Sequence, residues 1–187
     1  GMATAVAADA PIDGAGLVRR APDGGWRVFS LADGLPDAHV LSLAADSGGI
    51  WVGTENGLGR RDAAGGWSVV RQAHSEEGRG PIGRVVAVAA APGGDVWLAA
   101  ENNLLRLPRG QSEAVYRSDD DVFGATAVAA TADGEVWVGA ETTLAHRAAD
   151  GTWSERLTPD VVPDAQVKAI ALGEDGAWFG TAGGVAH

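Results

Sequence analysis

The chain of 187 residues has no cysteine. That excludes a disulfide framework and thiolate chemistry. Lysine is nearly missing too: Lys168 stands alone beside 13 arginines. The formal net charge is −11, and such a surface repels phosphate backbones. Neither a nucleic acid nor an anionic membrane is expected as a partner. No apolar run approaches the length of a membrane span. The opening "GMATAVAADAP" lacks the charged region and the long apolar core of a signal peptide. Gly1 ahead of Met2 reads as a cloning remnant of an excised or engineered chain. Helical signals are also missing, because Gly or Pro interrupts the chain about every dozen residues.

Catalytic signatures are equally scarce. The four histidines, His39, His74, His146 and His187, show no metal-ligand spacing. No serine sits in a G-x-S-x-G elbow, and no Gly-rich stretch leads into a lysine that would bind phosphate. Neither a cofactor nor a metal is expected. The triple aspartate at 119–121 lacks the alternating spacing of a calcium loop.

What the chain has is glycine and tryptophan, 28 and 7 of them. "GGIWVGTENGLGRRD" (48–62) returns as "GDVWLAAENNLLRLP" (94–108), "GEVWVGAETTLAHRA" (134–148) and "GAWFGTAGGVAH" (176–187). Trp51, Trp97, Trp137 and Trp178 follow one another at spacings of 46, 40 and 41 residues. A second series is Trp26, Trp67 and Trp153, with Tyr116 filling the gap. A period near 40 with several short strands per unit is the signature of propeller blades.

One unit reads in full from Val40. "VLSLAAD" alternates as strand a, "IWVGT" is strand b, "ENG" a hairpin turn, "LGRR" strand c and "WSVVRQ" strand d. Strands a, such as "VVAVAAA" and "ATAVAAT", alternate small residues with Val or Ile, as crowding near a central axis requires. The Trp of strand b sits farther out, where the gap between blades widens, and core packing is its expected role. Residues 14–31 match 55–72 almost position by position, so the two ends of the chain divide one repeat between them. The expectation is an all-β propeller of four-stranded antiparallel blades, four to five in number. Whole blades lie near 38–76, 83–119 and 124–158, and a composite blade from the N- and C-terminal strands closes the ring. Residues 1–13 are a tail or a degenerate strand (4–9 echo 126–131), and 14–187 form one domain. A chain with too few blades can also close by pairing with a second copy, as a homodimer.

Residues 33–70 resemble the two-component regulator propeller repeat. Leu35-Pro36, Val40, Asp46, Trp51-Val52-Gly53-Thr54, Gly57-Leu58 and Arg60 carry the resemblance, and Val162-Pro163, Val167, Trp178, Gly180 and Thr181 carry it again. It implies a bacterial sensor region outside the membrane, periplasmic or otherwise extracytoplasmic. A looser similarity joins the chain to the streptogramin lyases, but no His-plus-acid constellation marks that chemistry here.

In such a ring the d–a connections and the b–c hairpins share one face. Glu55, Glu101 and Glu141 stand at equivalent hairpin positions, with Asn56 and Asn102 beside the first two. His39, Arg84 and Gln166 each precede a strand a. They read either as turn residues repeated by duplication or as a recognition rim. The functional expectation is a non-enzymatic binding or sensory domain that takes a small molecule or a protein on this face. The alternative is a propeller fragment or engineered repeat chain with no ligand, and a lyase stands third.

Overall fold

A computed structural model describes residues 15–75, 78–101, 103–112, 114–116, 124–141, 143–157, 166–173 and 176–186. The possible strand at 4–9, Asn102, the aspartates at 119–121, Val162-Pro163 and His187 fall outside these.

The described residues are all β apart from one 3-10 turn at Leu31–Asp33. The chain opens with a hairpin of β1 (Ala15–Arg20) and β2 (Trp26–Ser30). The first full blade is β3 (Val40–Asp46), β4 (Gly49–Thr54), β5 (Gly57–Asp62) and β6 (Trp67–Val70), antiparallel in that order. A second hairpin follows, β7 (Gln72–Ser75) and β8 (Gly78–Pro81). The second blade is β9 (Val85–Ala90), β10 (Val96–Ala100), β11 (Asn103–Leu107) and β12 (Ala114–Tyr116). The third is β13 (Ala127–Ala130), β14 (Val136–Gly139), β15 (Leu144–Arg147) and β16 (Trp153–Leu157). Three strands form the last sheet: β17 (Val167–Gly173), β18 (Gly176–Thr181) and β19 (Gly184–Ala186).

The first strands pack in sequence, β3 on β9, β9 on β13 and β13 on β17. Strand alternation then gives every sheet a forward and a backward face. Within β10, Trp97 and Ala99 join a cluster with Ala125, Val136, Val138 and Ala145 of the third blade. Val96, Leu98 and Ala100 instead join Trp51, Leu58 and Val70 of the first. Two further clusters fill the joints at the ends, Leu17 and Phe29 with Leu35 and Val52, and Leu144 with Val167 and Phe179. The core is thus four separate joints, one between each pair of neighbouring sheets.

The repeat motif has a physical reading at each position. Asp46 accepts from Gly48 N at 2.7 Å and from Trp51 Nε1 at 2.8 Å, and Arg60 lies across the Trp51 ring, 4.8 Å from its centroid. Arg60 is the cross-strand neighbour of Trp51. The later blades keep the cross-strand partner of the Trp, Arg106 at Trp97 and His146 at Trp137, but take its acid from another position. Asp95 and Glu135 stand two residues before the Trp, where Asp46 stands five before it, and lie against Arg106 and His146. Gly53 is bare because a Cβ would run into Ser42 Oγ of its own sheet and into the next blade, 2.7 Å from Val85 O and 2.9 Å from Val85 Cγ1. Thr54 ties the b–c turn, its hydroxyl donating to Gly57 O at 2.8 Å and accepting from Asn56 N at 3.2 Å.

Four expectations change. The second sheet has six strands, because β7 pairs in parallel with the outer strand β12 and β8 follows it. The longer spacing of 46 residues between Trp51 and Trp97 is this added hairpin. Tyr116 does not take the place of Trp67: Arg106↔Val115 and Leu105↔Tyr116 put Ala114, one step on, at that register position. Trp178 is 41% exposed where Trp97 is 2% exposed, since its forward face looks away from the third blade. Finally, the described strands of the two ends, β1–β2 and β17–β19, stand in separate sheets. The chain supplies its own strand c at β19, which pairs with β18 on the side where β1 was expected.

Candidate functional site

The b–c turns and the segments leading into strands a meet on one face, as the strand order requires. The same backbone bond recurs in three blades: Glu55 N donates to His39 O, Glu101 N to Arg84 O and Glu141 N to Gly124 O, each at 3.1 Å. The glutamates are therefore equivalent in space as well as in sequence. In the third blade Gly124 takes the place of His39 and Arg84.

Arg84 brings three of the expected residues together. Its Nε donates to Glu55 Oε1 of the preceding blade at 3.0 Å, and its backbone N donates to Glu101 Oε1 at 2.8 Å. Glu101 has φ +45°, the one non-glycine residue with positive φ among those described. A left-handed glutamate costs about 1–2 kcal/mol, and its own carboxylate helps hold it by capping Arg84 N. The Arg84–Glu55 pair is half exposed on both sides, so it adds about 0–1 kcal/mol to stability and is free to rearrange.

The other expected residues stand apart from this cluster. His39 is exposed and bonded within its own turn, Nδ1 to Asp37 Oδ1 at 3.0 Å and N to the same oxygen at 2.8 Å. The His39 backbone N–H, then its side chain, hold the Asp37 carboxyl below its ordinary range. Gln166 is exposed just before β17, and Glu141 and Asn56 are exposed in their turns. A residue that the sequence did not single out fastens the rim: Arg71 donates to Asn56 O at 2.9 Å and to Pro36 O at 3.1 Å.

Sequence reasoning also missed a cavity of about 920 Å3 on the opposite face, in the joint between the first and second blades. Asp46, Trp51, Arg60, Leu107 and Arg109 line it. In the next joint Trp153 meets Trp97 edge-on at 6.2 Å, whereas the second blade has Ala114 at that register position.

The geometry is that of stacked propeller blades, and residues 34–56 match the two component regulator propeller model. This stretch carries a regulator-propeller repeat. It spans the Leu35-Pro36 turn, strand a and the Trp51–Thr54 run up to the rim at Glu55. No curated protein matches the sequence. Among solved structures, the extracellular domain of a hybrid two component system from B. thetaiotaomicron superposes with a TM-score of 0.66 at 16% identity, over 85% of this chain and 23% of that one. Virginiamycin B lyase from Staphylococcus aureus gives 0.62 at 15%, over 87% of this chain and 55% of that one. A gluconolactonase from Xanthomonas campestris gives 0.62 at 11%, over 90% of this chain and 63% of that one. The chain thus spans under a quarter of the sensor domain and rather more than half of the two enzymes. At these identities the likeness is one of fold, and regulator-propeller sensors share that fold with enzymes. Among the described residues no helix is long and apolar enough to cross a membrane, which leaves β-barrels aside.

Proposed function

We propose that the chain is a non-enzymatic, extracytoplasmic sensory propeller segment that binds a small polyhydroxylated molecule on the Glu55–Arg84–Glu101 rim. One observation carries the reading: Arg84 links the b–c turns of two blades, its half-exposed side chain bonding Glu55 of one and its backbone N bonding the Glu101 carboxylate of the other. A half-exposed guanidinium paired with the Glu55 carboxylate, with the Glu101 carboxylate on the same residue's backbone N–H, offers planar donors and strong acceptors side by side, the pattern that pairs with neighbouring hydroxyls. The net charge of −11 disfavours an anionic ligand. The regulator-propeller repeat and the extracellular sensor domain of similar fold support the sensory role and the location.

Titration with a panel of neutral mono- and disaccharides, followed by calorimetry, tests the reading. At least one should bind, and Arg84→Ala and Glu55→Gln should each weaken it about tenfold, the worth of one charge-assisted hydrogen bond, with the melting temperature unchanged. Binding that survives Arg84→Ala and fails in Arg109→Ala would move the site to the cavity on the opposite face. That cavity is the second reading, favoured by a volume within the usual range for small-ligand sites. If no sugar binds, the polyhydroxyl reading is wrong.

A further inference from the structure

The joints between blades contain a small lock. In the first joint between full blades, bare Gly53 of strand b faces Val85, the first residue of the next strand a. In the last joint, Gly139 faces Val167 in the same way, with Val167 Cγ1 2.5 Å and Cβ 2.6 Å from where a Cβ would stand. Val85 and Val167 are fully buried by this fit. The joint between them uses Ala99 and Ala125 in the same two places, both buried.

One lock of this kind is left open, with its two halves at opposite ends of the arc. Gly180 holds the position of Gly53 in the last sheet, since Gly180↔Val185 repeats Gly53↔Leu58. Among the described residues a Cβ on Gly180 would meet only Ala169, with Cβ at 3.6 Å and O at 3.8 Å. Val40 holds the position of Val85, because Val40↔Thr54 repeats Val85↔Ala100. It is half-buried where its equivalents are sealed. The neighbouring forward-facing side chains of the last sheet, Trp178 and Val185, are 41% and 71% exposed. At the other end, β1–β2 packs on the first blade through Leu17 and Phe29 as the outer half of a blade. Strands a and b of that half-blade are missing among the described residues.

We propose that a second copy of this chain closes the propeller. The β17–β18 pair of one copy enters beside β1–β2 of the other, and Gly180 receives Val40 of the second copy. In the register of the first blade, Trp178 then pairs with Arg19 as Trp51 pairs with Arg60. β1, of six residues, replaces the three-residue β19 along β18. Among the described residues each copy of this 187-residue chain brings three full blades and two halves, so two copies make a ring of eight, at the upper end of the usual range of roughly four to eight blades. The joint is head-to-tail, and a half-turn about the ring axis generates both of its instances. This inference rests on the joints and is independent of what the rim binds.

Sedimentation of the full chain at physiological salt provides the test. The wild type should run at about twice 18.9 kDa at tens of micromolar and dissociate on dilution. Gly180→Val fills the lock, and its Cβ makes only ordinary van der Waals contact with Ala169 of its own sheet, so it should sediment as a monomer with an unchanged circular dichroism spectrum. Gly180→Ala should weaken association by less. Gly180→Val combined with Val40→Gly swaps knob and hole and should restore the dimer. A wild type that stays monomeric, or grows beyond two copies, overturns the proposal, as does a Gly180→Val chain that still pairs.

Discussion

Replacing Trp97 by alanine tests the idea that each strand-b tryptophan is the keystone of the joint in front of it. Trp97 is 2% exposed, and the third blade supplies most of what covers it. Trp153 meets it edge-on at 6.2 Å, and the Arg147 guanidinium lies 5.4 Å from its ring centroid. Burying a tryptophan removes about 150–250 Å2 from water, which at about 25 cal/mol per Å2 is about 4–6 kcal/mol as an upper bound. Measured Trp→Ala costs in cores run at about 3–5 kcal/mol, so the expected loss is about 4 kcal/mol. Urea unfolding followed by far-UV circular dichroism reads it without relying on tryptophan emission. The aromatic pair should then show as a coupling of about 0.5–1.5 kcal/mol in a double-mutant cycle with Trp153→Ala. A loss below about 1 kcal/mol, or strict additivity in the cycle, would refute the joint as the unit of stability.

Gly139→Ala should destabilise by about 1–3 kcal/mol, because the added methyl meets Val167 Cβ at 2.6 Å across a sealed joint. Thermal melting of that variant at wild-type stability would sink the lock-and-bare-glycine account. Acid should weaken the fold through four carboxyls held below the ordinary value of 3.8: Asp33 chiefly by the Ser30 backbone N–H, Asp37 by that of His39, Asp133 by the Thr131 hydroxyl and Asp150 by that of Thr152. The unfolded chain takes up these protons first, so the stability is present above about pH 4 and is lost as pH falls through the lower folded values. A melting temperature that stays flat from about pH 7 to pH 2.5 would contradict it.

Blades were legible in the sequence because each motif residue answers to a local constraint. Asp46, Trp51 and Arg60 bond to one another within one sheet, and Thr54 closes its own turn; the step from the Trp to its cross-strand partner recurs at Trp97–Arg106 and Trp137–His146, while the acid moves from five residues before the Trp to two. The alignment of 14–31 with 55–72 identified β1 and β2 correctly as strands c and d, with Leu17 and Phe29 buried as Leu58 is. It could not tell which strands pair, because β1 and β19 are both copies of strand c and only one can lie along β18. Tyr116 misled for a related reason, since aromatic character was read where register decides. At the rim, the hairpin glutamates were placed by the repeat, and Glu55, Glu101 and Arg84 meet as a result. His39 and Gln166 were grouped with Arg84 by position alone, and His39 bonds to Asp37 instead. The added hairpin and Arg71 have no repeat partner, so periodicity had nothing to say about either.

The division of the core into four joints makes this a molecule without a centre. Each sheet touches only its neighbours, so loosening one joint leaves the next intact, and the free energy of opening becomes a local quantity. Amide protons in β10 and β14, held between two sealed joints, should exchange on the slowest timescale. Those of β18 and β19, with Trp178 and Val185 in water, should exchange on the fastest. The arc frays from its β17–β19 end inward, and any event that fastens that end is felt as slower exchange sheet by sheet along the chain.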